Sequence, residues 1–570
     1  MNRVFRVLVT VGVALSGLAV AAPAHAGGGP ENVLLVVNPN SPDSLAIANH
    51  YVALRGIPAG NVLYVPWGPN AHHAKGADFR DKLLKPILQT IDERKLASQI
   101  DYVVYSSNFP WQLDFTDIHG TEKRGTPSYP IASLTGATYL FPFVINDKPE
   151  LHALNTNFYF APATGGKTTS RAFHSYLGWQ PGAKAGKDGL HYLMSTMLGV
   201  TTGAGTTVDE TVRYLKRSVE ADGTQPDGAF FYMVNGKNPR SVVRHDNFAA
   251  AARELESLGR KAVVANGIVP AGQPDVLGLT CGAPVVPLGG SGCRLQPGAL
   301  VDNLTSAGGQ LQRRQPGKGQ TPLTDYLRMG AAGASGTVSE PYAIPHKFPS
   351  ADLHVHYARG CTMAEAFYQS IQGPFHLLIV GEPLCQPWAA PGDVKLTLPG
   401  LTGTLSGTVQ LEPQVTYPDS RTVGRLEVFV DGVRVAAVRG QAPLPLDTTK
   451  LGDGHHRLTI VAVDDTPIEA QSRWSEDVVV KNGRDAVQLT TANGTEVTGG
   501  QLVVKVAVTR DAEVEVLHNG RKLGQTSGRG GEVRIPTAKL GAGPVQIEAR
   551  TTDDPPLRAR PLTVQIATGG

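Results

Sequence analysis

Cys281 is the residue of this chain placed most favourably for nucleophilic chemistry. It closes the apolar run Val276-Leu277-Gly278-Leu279-Thr280 and is followed at once by Gly282. A thiol leaving a buried strand into a glycine turn can attack a carbonyl once a nearby base draws off its proton. His245 and His119, the latter in the dipeptide His119-Gly120, are the candidate bases. A rival use of the same sulfur is structural. The four cysteines fall as two local pairs, Cys281 with Cys293 and Cys361 with Cys385, and a disulfide in either pair staples a loop.

A second set of candidates lies where other apolar runs stop. Val33–Val37 gives way to Asn38, Asn40, Ser41 and Asp43, and a later run ends in Ser106-Ser107-Asn108. Others end in Asn235-Gly236, Asn266-Gly267, Glu340-Pro341 and Glu382-Pro383. Open parallel sheets bind ligands at the carboxyl ends of their strands. Asn38, Asn40, Ser41, Asp43, Asn108, Asn235 and Glu340 are therefore the expected binding residues. The same residue types cap helices and form turns, so both uses stand. His354 and His356, two positions apart and so on one side of a strand if they lie on one, raise with Glu340 a metal-assisted alternative. Their spacing matches no established zinc pattern, and no metal ligands are assigned. There is no glycine fingerprint for a nucleotide, no phosphate loop and no Gly-x-Ser-x-Gly elbow, so no cofactor is expected.

Positioning these residues requires an α/β domain. Strands are expected at Val33–Val37, Asn61–Pro66, Asp101–Tyr105, Ala229–Val234, Lys261–Ala265, Val276–Thr280, Ala334–Val338 and His376–Val380. Helical patterns lie between them at Ser44–Arg55, Phe79–Ser98, Val208–Ala221, Asn247–Leu258 and Thr362–Ile371. Apolar strands without alternation, separated by helices, predict an open, mostly parallel sheet covered on both faces. A Gly-, Thr-, Tyr- and Pro-rich segment over about 118–205 reads as an insertion with structure of its own. The domain is expected to span 27–391.

Beyond Pro391 short alternating runs replace the helical patterns. LEVFVDGVRV, ending at Val435, recurs loosely as VEVLHNGRKL, ending at Leu523, within a repeat whose offset is about 89 residues, the size of one small sandwich. Two immunoglobulin-like all-β modules are expected, at 392–481 and 482–570, the first with a hairpin turn at Asp431-Gly432.

The first 26 residues read as a signal peptide: Arg3 and Arg6, an apolar stretch from Val7 to Ala22, then Ala24-His25-Ala26. Cleavage after Ala26 removes two arginines and no acid, taking the formal charge from +3 to +1. A near-neutral exported chain does not suit nucleic acid as a partner. No later stretch is expected to anchor it in a membrane, and its expected place is secreted, periplasmic or at the cell envelope.

ENVLLVVNPNSPDSLAIANHYVALRGIPAGNV, from Glu31 to Val62, together with PGALVDNLTSAGG, GAAGASGTVSEPYAIPHKFP, GCTMAEAFYQSI and LLIVGEPLCQP, resembles an exported, exosortase-associated bacterial family whose function is not established. The ending LTVQIATGG does not resemble the sorting tail of that system's cargo. The chain is more distantly similar to gingipain-like cysteine peptidases, which implies a caspase-like sheet followed by an immunoglobulin-like module. Cys281 fits that family's nucleophile, but Asn266-Gly267 stands where its His-Gly would be, and Gly381-Glu382-Pro383 replaces Gly-Asp-Pro. Two main readings follow: a cysteine hydrolase acting by acyl transfer, and a non-catalytic envelope protein that binds a glycan or peptide, its β-modules setting its reach.

Overall fold

The computed structural model describes residues 27–68, 72–121, 130–312, 319–396, 403–492 and 494–567. The signal-peptide reading therefore lies outside the described residues. Ten strands form one sheet: β1 (Val33–Val37), β2 (Val62–Tyr64), β3 (Tyr102–Tyr105), β4 (Met194–Met197), β5 (Ala229–Val234), β6 (Lys261–Asn266), β7 (Val276–Cys281), β8 (Leu295–Asn303), β9 (Gly333–Thr337) and β10 (Leu377–Gly381). Their order is β6-β5-β7-β8-β9-β10-β4-β3-β1-β2. Pairing is parallel from β6 to β9 and from β4 to β2, while β10 runs antiparallel to β9. One bridge, Val380 to Met197, joins the six-stranded and four-stranded parts.

The connecting helices are α1 (Pro42–Arg55), α2 (Lys85–Glu93), α3 (Val208–Glu220), α4 (Pro239–Ser257), α5 (Leu323–Arg328), α6 (Leu353–Ala358) and α7 (Met363–Ser370). Local chemistry fixes their ends. Ser41 caps α1 by accepting Ser44 N, and Gly56 closes it at φ 67°, a conformation glycine adopts without strain. Thr207 with Glu210, and Thr362 with Glu365, form capping boxes on α3 and α7. Every side chain of β1, β3, β7, β9 and β10 is buried, which explains why their sequences do not alternate.

Two strands depart from the expected pattern. β4, with sequence MSTM, lies inside the segment read as an insertion, yet it is a central strand whose Ser195 and Thr196 are buried. Leu295–Asn303 was not expected, because Pro297-Gly298 interrupts it. The β7–β8 ladder absorbs that interruption as a register break, from Val276 opposite Leu295 to Gly278 opposite Leu300.

The C-terminal part forms two sandwiches with separate apolar cores, one drawn from Val394 to Val478 and the other from Val487 to Ile566. The repeated hairpins turn at Asp431-Gly432 (φ 51° and 83°) and Asn519-Gly520 (φ 48° and 74°), the left-handed pair of a two-residue turn. Both tips rest on the loop that follows α1. A Cβ added at Gly432 would meet Pro58 Cβ at 2.1 Å, and one at Gly520 would meet Ala59 O at 3.2 Å. Asn49 of α1 donates to Leu540 O and Ala542 O, both at 3.0 Å. The modules are thus packed against the α/β domain. A spacer that sets reach, as the sequence suggested, would leave these surfaces free.

Candidate functional site

The polar residues after β1 and β3 bond to one another. Asn38 Nδ2 donates to Asn108 O at 2.9 Å, and its Oδ1 accepts Asn40 N at 3.1 Å and Trp67 N at 3.2 Å. Asn108 Nδ2 donates to Ser41 Oγ at 2.5 Å, and its Oδ1 accepts Thr201 Oγ1 at 3.0 Å. Asn40 Nδ2 donates to Trp67 O at 3.2 Å, and Ser44 Oγ bonds Ser106 Oγ. Asn108 holds φ 57°, a conformation asparagine tolerates better than most residues. Asp43 lies in the first turn of α1, where a carboxylate complements the helix dipole. The arrangement is a brace that ties the loops after β1, β2, β3 and β4 together.

A second cluster surrounds Cys281, which is 1 % exposed. Its Sγ contacts Asn303 Oδ1 at 3.5 Å, not a histidine. Asn303 also accepts Ala283 N and donates to Ala283 O, each at 3.0 Å, and so clamps the turn after β7. Asn235 Nδ2 donates to Gly282 O at 3.0 Å. Arg244 of α4 pairs with buried Asp302 and donates to Cys281 O at 2.5 Å, while Ser335 Oγ donates to Asp302 Oδ1 at 2.7 Å. Burial pushes the thiol up to about 12, against the pull of Arg244. A thiol with that pKa holds almost no thiolate at neutral pH.

The expected bases sit elsewhere. His245 bonds Ser241 on its own helix, and burial lowers its pKa. His119 Nδ1 bonds His152 Nε2 at 2.6 Å. Asn266 ends the edge strand β6, with β5 between it and β7, so it does not neighbour Cys281. Glu340 accepts Tyr342 N at 2.8 Å. His354 and His356 lie on helix α6, not on a strand, and face different partners. His354 Nε2 bonds Thr280 Oγ1 at 3.0 Å, and His356 Nδ1 bonds Ser170 Oγ at 2.9 Å. Burial pushes both down to about 3. Among the described residues no group of three His, Cys, Asp or Glu is arranged to hold a metal ion.

Neither expected disulfide is present: all four cysteines are free and buried. Each sulfur that bonds has its own surroundings. Cys361 Sγ accepts Gln369 Nε2 at 3.4 Å, while Cys385 Sγ lies 3.2 Å from Tyr357 Oη and 3.3 Å from Ser218 O.

A cleft of about 410 Å³ lies at the seam between the α/β domain and the first β-module. One wall is Thr168-Thr169-Ser170 with Arg359, and the facing wall carries Arg421, Asp464 and Thr466. Gly360 and the apolar Trp388, Ala389, Ala390, Pro467, Ile468 and Ala470 complete the lining. Its charges are already matched: Arg359 pairs with Glu254 at 2.6 Å, and Arg421 with Asp464 at 2.9 Å and Asp419 at 2.8 Å. Ala172 N donates to Pro467 O at 2.8 Å, joining the two walls. An ionic cluster adds to this closure. His174 Nε2 bonds Glu469 Oε2 at 3.0 Å, and Arg425 pairs with both Glu469 and Glu427. None of these residues stood out in the sequence, because they come from segments some 300 positions apart with no motif in common. Among the described residues no helix is long and apolar enough to cross a membrane.

No family model matches the chain, and no curated protein matches it. Among solved structures, fibronectin(III)-like modules of CbhA from Clostridium thermocellum align at 17 % identity, covering 31 % of this chain and 94 % of theirs, TM-score 0.14. SGBP-B from the mixed-linkage glucan utilization locus of Bacteroides ovatus, solved with a heptasaccharide, aligns at 16 % identity over 31 % of this chain and 47 % of its own, TM-score 0.20. A structure described only as a protease aligns at 10 % identity over 79 % of this chain and 97 % of its own, TM-score 0.39. At these scores the likenesses carry no argument about activity.

Proposed function

We propose that this is an exported, non-catalytic binding protein that holds a glycan segment in the seam cleft. The observation that carries the reading is the cleft of about 410 Å³, where hydroxyls and already-paired guanidinium groups from two domains stand beside apolar Trp388, Ala390, Pro467 and Ile468. Its volume lies within the roughly 300–1,000 Å³ of small-ligand sites. Because Arg359, Arg421 and Asp464 have their counter-ions, the walls carry polar groups beside an apolar surface, without a large net charge. That suits a neutral, hydroxyl-rich chain better than an acidic peptide. Cys281 supports binding over acyl transfer from the other side, since a buried thiol bonded to Asn303 has neither base nor access.

The test is retardation of the mature protein in gels containing soluble polysaccharides, beside Thr169→Trp and Ala390→Trp. Both positions are exposed on the cleft lining, so an indole there fills the cleft and leaves the core alone. At least one glycan should slow the wild-type chain and neither variant. No retention on any glycan, or equal retention of all three proteins, overturns the reading. Retention of peptides in place of glycans moves the ligand class to the other candidate.

A further inference from the structure

The seam also encloses the first described residues. Gly27, Gly28, Gly29 and Pro30 are all buried, and Gly27 N donates to Glu469 O at 3.3 Å. A Cβ added at Gly27 would lie 2.1 Å from Glu365 Oε1 and 2.5 Å from Oε2. One added at Gly28 would lie 2.5 Å from the ring of Tyr102. The Glu365 carboxylate therefore packs on Gly27 Cα, in a passage only glycine fits. Glu365 is fully buried, and its oxygens accept Thr362 N at 2.9 Å and Phe173 N at 3.1 Å. Tyr102, Tyr159, Cys361 and His174 face it, and among the described residues no lysine or arginine pairs with it. Burial pushes its pKa up to about 8, against the pull of the Thr362 and Phe173 N–H groups. A buried carboxylate without a cation is costly.

We propose that Glu365 is the counter-ion of the mature amino terminus. A processing peptidase adds water across the Ala26–Gly27 amide. The hydroxyl goes to the Ala26 carbonyl carbon and a proton to the Gly27 nitrogen, which takes up a second proton at neutral pH. The resulting α-ammonium is one bond from the Cα that touches the carboxylate, and it keeps its bond to Glu469 O. Removal of the leader thus supplies the missing charge and fastens the first β-module to the α/β domain.

The experiment compares the full chain beginning at Gly27 with one retaining Ala26, each with Glu365 and with Glu365→Gln. The native Gly27 amine should acylate with an N-hydroxysuccinimide ester at least about ten-fold more slowly than in urea, as a buried group does. The chain beginning at Gly27 should melt higher than the chain retaining Ala26, and Glu365→Gln should erase that difference. Equal labelling in native and unfolded protein overturns the proposal, as does a melting difference that survives the substitution. Amino-terminal sequencing of the exported protein that finds a start other than Gly27 does so too. Should Glu365→Gln fail to fold, the labelling ratio of the unsubstituted chain still decides the matter.

Discussion

The strand ends and the seam are built from the same kinds of residue, used in opposite ways. At the ends of β1, β3, β7 and β8, asparagine, serine and threonine side chains bond to one another and to loop backbone. At the seam, threonines, a serine and two arginines line a space together with Trp388, Ala390, Pro467 and Ile468. The contrast teaches that satisfied polar groups do not by themselves mark a site: Thr168, Ser170 and Thr466 are bonded as fully as the strand ends, and what sets the seam apart is the open space beside exposed Thr169 and Ala390. Satisfied buried networks hold loops in place; a site also needs room beside them for a ligand. The two regions are separated by their function in the fold: one fixes the α/β domain internally, and the other is where two domains meet.

The comparison breaks most visibly at Arg244. Removing one partner of a buried ion pair leaves the other charge uncompensated, so Arg244→Ala should cost about 3–5 kcal/mol in urea unfolding, with Asp302 stranded among β7, β8 and β9. A loss well under that would mean the strand-end cluster is not the internal brace described above. Asn38→Ala comes next. It leaves Asn108 O, Asn40 N and Trp67 N without their partner, for about 1–3 kcal/mol by the same measurement. If Asn38→Ala weakened glycan retention while leaving stability unchanged, the strand ends would be a binding surface after all.

Cys281→Ala should cost about 1 kcal/mol, a typical value for a small change, and leave any activity unaltered. Alkylation sharpens this point. Native protein should label at none of the four cysteines, and unfolded, unreduced protein at all four; selective labelling of Cys281 in the native state would restore the nucleophile.

The smallest effect is driven by pH and confined to the seam. Burial opposes ionisation of Glu469, but His174 and Arg425 outweigh it and hold its pKa down to about 2. Its contribution is therefore complete above the ordinary value of 4.5 and is lost as pH falls through about 2. Burial likewise opposes the charged form of His174, but the Glu469 bond and the Asp101 charge outweigh it and raise its pKa. That contribution is complete below 6.5 and fades as pH rises through the raised value. Amide hydrogen exchange should show the seam loosening at both extremes before the sheet does. Uniform loosening of both regions would remove the distinction between them.

Much of the fold was legible in the residues. Runs such as Val33–Val37 and Ala229–Val234 are apolar throughout because both faces of their strands are covered, and Asp431-Gly432 announces a hairpin through the left-handed conformation the turn requires. Met194–Met197 escaped notice because its buried Ser195 and Thr196 look like loop residues. Leu295–Asn303 did so because Pro297-Gly298 looks like a break, and only the pairing with Val276–Cys281 shows it to be a register shift. The helical placement of His354 and His356, two positions apart, was hidden for a related reason: so short a segment has no period to read.

The sequence by itself determined most of the order of the elements, the polar start of α1, and the repeat that makes two β-modules. These depend on nearest neighbours along the chain and on which faces must be dry. Only the tertiary structure decided the rest. It buried Cys281 against Asn303 and gave each cysteine its own surroundings. It turned the polar strand ends inward upon one another, and it set Thr168, Arg359 and Arg421 around one cleft, with Glu365 against Gly27. Burial and pairing depend on residues hundreds of positions apart, and a side chain's chemistry follows from what surrounds it.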